Sequence, residues 1–143
     1  MTVSMLAQAV LAVDVGTTAV KAALVRDDVV IASAERPLTT TVGGPGQAEQ
    51  DPEQWWSAVC ELTRELGGHL RADTDALALT GQMQDLVLLG AHGRPVRPAL
   101  LYSDMRAVAE HDALVARYGA RWAEAVGGQP DATNVLAKWE WLR

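Results

Sequence analysis

One cysteine in 143 residues, Cys60, leaves no disulfide framework and no cysteine-based metal site. A lone thiol fits a reducing compartment, so the expected location is the cytoplasm. Basic charge is also scarce. Twelve Lys and Arg stand against 18 Asp and Glu, giving a net charge of −6 and a pI near 4.9. The basic residues form no cluster or stripe, which argues against nucleic acid as a partner. Long apolar runs are missing too: none approaches the ~18 residues that a membrane span needs, and no membrane partner is expected. Met5-Leu6-Ala7-Gln8-Ala9 has the small-x-small look of a signal-peptidase site. No Lys or Arg precedes it and the apolar stretch is too short, so it reads as a ragged start to the first strand. Two common phosphate-binding patterns are absent, Gly-x-x-x-x-Gly-Lys-Ser/Thr and a Gly-x-Gly-x-x-Gly opening a helix. The rest is ordinary. With 49% hydrophobic and 21% charged residues the composition is that of a soluble globular chain, long enough for one cored domain.

Against that background one stretch stands out, Val10 to Lys21. The apolar run Val10-Leu11-Ala12-Val13 has the length of a buried strand, and the pattern resumes at Val20 after an acid, a glycine and two threonines. Two strands joined by a tight, hydroxyl-bearing turn predict a β-hairpin. Two readings fit its tip. Asp14 and Gly16 are common turn formers, and the carboxylate can bond backbone two residues on. Alternatively, Gly16 admits a ligand close to the backbone, Thr17 and Thr18 add hydroxyl donors and Lys21 adds positive charge. Asp14 would then hold Mg²⁺ through water.

Further along, Asp27-Asp28 marks a turn and Val29 to Ala34 a third strand, completing an antiparallel meander. Glu35 to Gln50 reads as a long loop broken by Pro37 and Gly43-Gly44-Pro45-Gly46. Asp51 as N-cap, Pro52 at the first helical position and Gln54 as capping-box partner open a helix. Its apolar stripe would be Trp55, Val59, Leu62, Leu66 and Leu70, with Cys60 packed in the core and His69 at a solvated tip. Ala76 to Thr80 predicts a fourth strand, followed by Gly81-Gln82-Met83-Gln84, and Leu86 to Leu89 a fifth. Pro95 and Pro98 exclude a central strand between them. Helical patterns follow from Met105 to Tyr118, from Ala120 to Val126 (closed by Gly127-Gly128), and from Val135 to Arg143 behind a cap at Thr133 or Asn134. In the first of these, Met105, Val108, Leu114, Val115 and Tyr118 are expected on one side. The fold class expected is α/β: a three-strand meander, a βαβ passage, then C-terminal helices that leave an incomplete domain.

Taken in order, these motifs resemble the N-terminal part of the FGGY carbohydrate kinases, and most closely their xylulokinase members. The resemblance rests on the hairpin Asp-x-Gly-Thr-Thr, Glu49-Gln50-Asp51-Pro52 with Trp55-Trp56, Gly81-Gln82-Met83, Gly93 to Pro98, Ser103-Asp104-x-Arg106, and Leu136-Ala137-Lys138-Trp139. It implies the ribonuclease-H-like (actin-like ATPase) fold, with residues 1–143 as the front part of the first of two such domains. It also implies ATP and Mg²⁺ as cofactors and a small sugar or polyol as substrate. Asp14 would lie by the metal and the transferred phosphoryl group. Gly16, Thr17 and Thr18 would contact ATP phosphates, and Lys21 would face the γ-phosphate. Gln82 and the Met83-Gln84 pair would contact the sugar. Where xylulokinases usually carry Met-His this chain has Met-Gln, and glutamine donates and accepts hydrogen bonds but takes no proton at neutral pH. Asp104 and Arg106 match the family's Asp-x-Arg turn; a helix cap with a local ion pair is the plainer alternative.

The same resemblance implies that the catalytic aspartate, the adenosine motif and the second domain lie beyond Arg143. The expectation is therefore a segment of an ATP-dependent ketose or polyol kinase, inactive alone, whose open core is covered by the rest of such a kinase or by self-association. A non-catalytic interaction module and a non-sugar ATPase of the same fold are the alternatives.

Overall fold

The computed structural model describes residues 9–70, 74–127 and 131–143. The readings made for Met5–Gln8 and Gly128 lie outside them. In chain order the elements are β1 (Ala9–Val15), β2 (Ala19–Arg26), β3 (Val29–Pro37), β4 (Glu49–Gln50), α1 (Pro52–Leu66), β5 (Thr74–Gly81), β6 (Ala99–Leu100), α2 (Val108–Tyr118), α3 (Ala120–Val126) and α4 (Val135–Leu142). They fall into two compact units. One joins the described residues up to Thr39 with Glu53–Gln82; the other joins Thr40–Pro52 with Met83–Arg143.

The first unit is a mixed sheet of order β3-β2-β1-β5, antiparallel through β1 and β2 to β3 and parallel between β1 and β5. Asp27 and Asp28 both have positive φ, 48° and 61°, the backbone that a two-residue turn needs to match the twist of its strands. Alternation along the strands sends Leu11, Val13, Val20 and Ala22 to one face, where they meet Ala58, Leu62 and Leu66 of α1 in an apolar core. Of the expected helix stripe Leu62 and Leu66 are buried and Val59 packs against the core, while Ala58, outside that stripe, is buried with them. Gln54 also ties the helix start to the chain just past β3: its Oε1 accepts from the Thr39 N–H at 2.8 Å and its Nε2 donates to the Thr39 carbonyl at 3.1 Å. Cys60 is half-buried and His69 exposed. Arg36, at the end of β3, donates to Glu61 and Glu65, which stand one turn apart on α1.

In the second unit β4 pairs antiparallel with β6, and α2 packs against α3 and α4. Both ends of the expected loop Glu35–Gln50 are strand, since β3 runs to Pro37 and Glu49–Gln50 forms β4. The strand expected at Leu86–Leu89 is not one. The segment makes only the isolated bridges Leu86–Leu100 and Leu89–Pro95, because prolines 95 and 98 cannot donate to a continuous ladder. Nor does a helix start at Met105: α2 begins at Val108 and buries none of its residues, with Val115 and Tyr118 40% and 43% exposed. Asn134, rather than Thr133, caps α4 by accepting from the Leu136 N–H at 2.9 Å. The buried groups of this unit are unusually polar. Glu49, Gln50, Asp104 and Lys138 are buried in it, as are Ala99, Leu100, Leu101, Ala107 and Trp122.

Candidate functional site

The sheet of the first unit has a second face, turned away from α1. Residues opposite one another on neighbouring strands share a face. The pairs Glu35–Lys21, Lys21–Asp14 and Asp14–Thr80 therefore form a row across all four strands. Behind this row Ala12, Ala23, Ser33 and Ala78 keep the surface low, and together they line an open trough. Small side chains leave room for a ligand, and the row places carboxylate, ammonium and hydroxyl groups at its end.

The turn beside that row is tight. The Gly16 N–H donates to the Ala19 carbonyl at 3.2 Å, closing Thr17 and Thr18 into the bend, and the Leu38 N–H donates to the Thr18 carbonyl at 2.8 Å. A Cβ on Gly16 would come within 3.1 Å of the Ala19 oxygen, and one on Gly81 within 3.0 Å of the Val15 oxygen. Both glycines are thus there for close approach. Gly81 lets the end of β5 lie against β1, where the Gln82 N–H donates to the Val15 carbonyl at 2.9 Å. Asp14, Gly16, Thr17, Thr18, Lys21 and Gln82 are brought together in this unit.

Met83, Gln84, Asp104 and Arg106 belong to the other unit. Met83 is 78% exposed, and the exposed Gln84 has φ 61°, a left-handed backbone that few non-glycine residues adopt. Its carbonyl accepts from Lys138 Nζ at 2.9 Å, and the same ammonium donates to the Leu101 carbonyl at 2.7 Å. Lys138 is fully buried. Burial lowers its pKa, and the charges of Asp85, Asp104 and Asp131 partly offset this. Asp85 Oδ1 accepts from the Tyr102 N–H at 2.6 Å; burial raises its pKa in spite of that bond and of Lys138.

Asp104 and Arg106 meet directly. Arg106 Nη2 donates to Asp104 Oδ2 at 2.7 Å and to Glu49 Oε1 at 2.5 Å, and its guanidinium lies 4.4 Å from the Trp141 ring centroid. Asp104 also accepts from the backbone N–H groups of Ala48 at 2.9 Å and Arg106 at 3.2 Å. Arg97 adds a second donor to Glu49. Burial alone would raise the pKa values of Asp104 and Glu49, but the hydrogen bonds from Arg106 and its neighbours bring both below the ordinary carboxylate range. The buried Asp104 thus has each oxygen engaged and does not cap α2, whose N-cap Ala107 makes no side-chain bond. The turn is held by an ion-pair network that reaches back to β4.

Glu49 and Lys138 carry weight here that sequence reasoning did not assign. The available signal was Lys138 itself, a cation inside the apolar run Val135 to Leu142.

A family model described as the FGGY family of carbohydrate kinases, N-terminal domain, matches residues 9–143. The chain is 41% identical over 139 residues to the xylulose kinase of Streptomyces rubiginosus, covering 93% of this chain and 28% of that protein. Among solved structures it is similar to a xyloylose kinase from Brucella ovis, with a TM-score of 0.82 and 29% identity over 92% of this chain and 28% of the other. The xylulose kinase from Rhodospirillum rubrum gives a TM-score of 0.73 and 36% identity over 78% of this chain and 24% of the other.

Proposed function

The chain belongs to the FGGY family of carbohydrate kinases, and we propose that it supplies the phosphate-holding hairpin and part of the sugar site of an ATP-dependent ketose or polyol kinase. It spans 28% of the length of the Streptomyces relative, so activity and substrate are inferences for a longer assembly. Xylulose is the substrate class that the relatives' names suggest. The observation that carries the reading is the row Asp14–Lys21 beside the Gly16 turn, at the end of an open trough with a low floor.

Phosphoryl transfer asks little covalent chemistry of a protein; position and charge neutralisation do most of the work. In this reading Thr17 and Thr18 hold phosphate oxygens through their hydroxyls, Gly16 keeps the turn low enough to admit them, and Lys21 faces the terminal phosphate. The donors suit Mg²⁺ held largely by water and substrate phosphate. Asp14 offers one carboxylate with the Thr80 hydroxyl beside it, and no group of three His, Cys, Asp or Glu side chains gathers among the described residues. Bound there, the ion would neutralise phosphate charge. Gln82, Met83 and Gln84 contact the sugar, while Asp104 and Arg106 shape the turn on that side. Asp104 is engaged on both oxygens, which argues against it as general base.

The expected location is the cytoplasm, in keeping with the lone cysteine; no helix among the described residues is long and apolar enough to cross a membrane. Leu77 and Leu79 stand 64% and 69% exposed on β5, on the face shared with Leu11 and Val13. We expect further polypeptide of the kinase to cover them.

The test is a hybrid in which this chain replaces the matching part of the Streptomyces enzyme, assayed by ADP release with D-xylulose and a panel of pentuloses and polyols. Sugar-dependent turnover, lost in Asp14→Asn, is expected, and the 143-residue chain alone should give none. A folded hybrid that binds ATP yet turns over no sugar would overturn the reading.

A further inference from the structure

Gln84 is fastened at both ends. Its carbonyl is held by Lys138, as described, and its side-chain amide lies against Thr133, whose Oγ1 is 3.1 Å from Gln84 Oε1. The same hydroxyl lies 2.5 Å from Asp131 Oδ1, and the Thr133 N–H donates to that oxygen at 2.8 Å. A threonine hydroxyl has one proton to give. The shorter contact, to a carboxylate, is charge-assisted and takes it. Thr133 Oγ1 is then an acceptor toward Gln84, and an amide oxygen facing it would place two lone pairs together. A half-turn of the Gln84 amide at almost unchanged shape brings Nε2 to Thr133 instead, completing a chain from Gln84 N–H to Thr133 and from Thr133 O–H to Asp131.

We infer that Asp131 and Thr133 are positioning residues that fix the Gln84 amide with its nitrogen on Thr133 and its oxygen presented to the ligand, so that this position reads a sugar hydroxyl. The inference rests on Gln84 being a sugar contact. A freely turning glutamine accepts from a hydroxyl or donates to a keto oxygen with equal ease. One anchored in this way favours the hydroxyl. The lowered pKa of Asp131, due first to the Thr133 hydroxyl, accords with a carboxylate that keeps its charge and holds the proton at Thr133 in place. The backbone share of the device is Lys138, which anchors the left-handed Gln84 from behind.

Two measurements test it. In the 143-residue chain, the Gln84 side-chain NH₂ signals are assigned by their loss in Gln84→Ala. Thr133→Val should move this pair to the shifts of a solvated glutamine, and Thr133→Ser should leave it in place. An unmoved pair in Thr133→Val overturns the relay. In the hybrid enzyme, Thr133→Val should raise KM for D-xylulose about three- to tenfold, the worth of one hydrogen bond, with kcat and the thermal midpoint nearly unchanged. Thr133→Ser should restore it, and Asp131→Ala should raise KM in the same direction. If Gln84→Ala raises KM while Thr133→Val and Asp131→Ala do not, the relay is wrong and the sugar contact stands. If Gln84→Ala leaves KM unchanged, the contact itself is wrong and the inference falls with it. A KM rise that tracks a fall in thermal midpoint and is not rescued by serine marks a merely structural role and overturns it as well.

Discussion

Two arginines show how burial sets the worth of a charge. Arg36 reaches Glu61 and Glu65 on an exposed surface, where water already solvates all three groups. Arg106 touches Asp104 and Glu49, whose side chains are 0% and 10% exposed. Removing Arg106 leaves the fully buried Asp104 without a cation and Glu49 with Arg97 alone, so Arg106→Met should cost about 3–5 kcal/mol by urea unfolding. Arg36→Ala should leave the midpoint almost where it was. Acid acts on the same carboxylates. Asp104 and Glu49 have folded pKa values below their unfolded ones, so their stabilisation is full above the ordinary carboxylate range and is lost as pH falls through the lower folded values. The protection factor of the Ala48 amide, which donates to Asp104, should fall over that window. Asp85 works in the opposite sense, since its raised pKa makes the charged form costly at neutral pH and acidification relieves this. Lys138→Met keeps the buried stem but takes the ammonium donor from the Gln84 carbonyl and leaves the Leu101 carbonyl with the Asp104 N–H, a loss of about 1–3 kcal/mol.

At the scale of the element, the hairpins and α1 follow from local pattern. The turn at Asp27-Asp28 forces two carboxylate residues to positive φ, where glycine costs less. Asp28→Gly should therefore raise the thermal midpoint slightly. α1 is held by a stripe at every fourth residue, Ala58, Leu62 and Leu66, against the β1–β2 face. Leu62→Ala removes its fully buried centre and should cost about 2–5 kcal/mol. The row Asp14–Lys21–Glu35 belongs to this scale too. A one-residue slip of β1 on β2 would send Asp14 into the core and Val13 to the trough, so the register that buries Leu11 and Val13 also sets out the row of charges on the opposite face.

For the whole molecule, each unit has its own buried centre, one apolar and one built round ion pairs. Acid should therefore act unequally. Below the ordinary carboxylate range, methyl NMR signals of Leu100 and Leu101 should broaden while those of Leu62 and Val13 keep their shifts. Leu77 and Leu79 bear on association. If further polypeptide normally covers them, the isolated chain should self-associate through β5, and Leu77→Lys with Leu79→Lys should shift sedimentation toward monomer.

The sequence by itself determined the hairpin around Gly16, the meander, the span of α3 and the family, because these rest on short-range periodicity and on turn residues whose backbone needs are local. It named Asp14, Lys21 and Gln84 from motif alone. Only the tertiary structure decided what Asp104 and Lys138 do. Their partners lie far along the chain, Ala48 at a separation of 56 residues and Gln84 at 54, and no local pattern encodes which buried groups meet. The tertiary structure also dissolved the strand at Leu86–Leu89, since an apolar run becomes a strand only if its neighbour can donate, and two prolines there cannot.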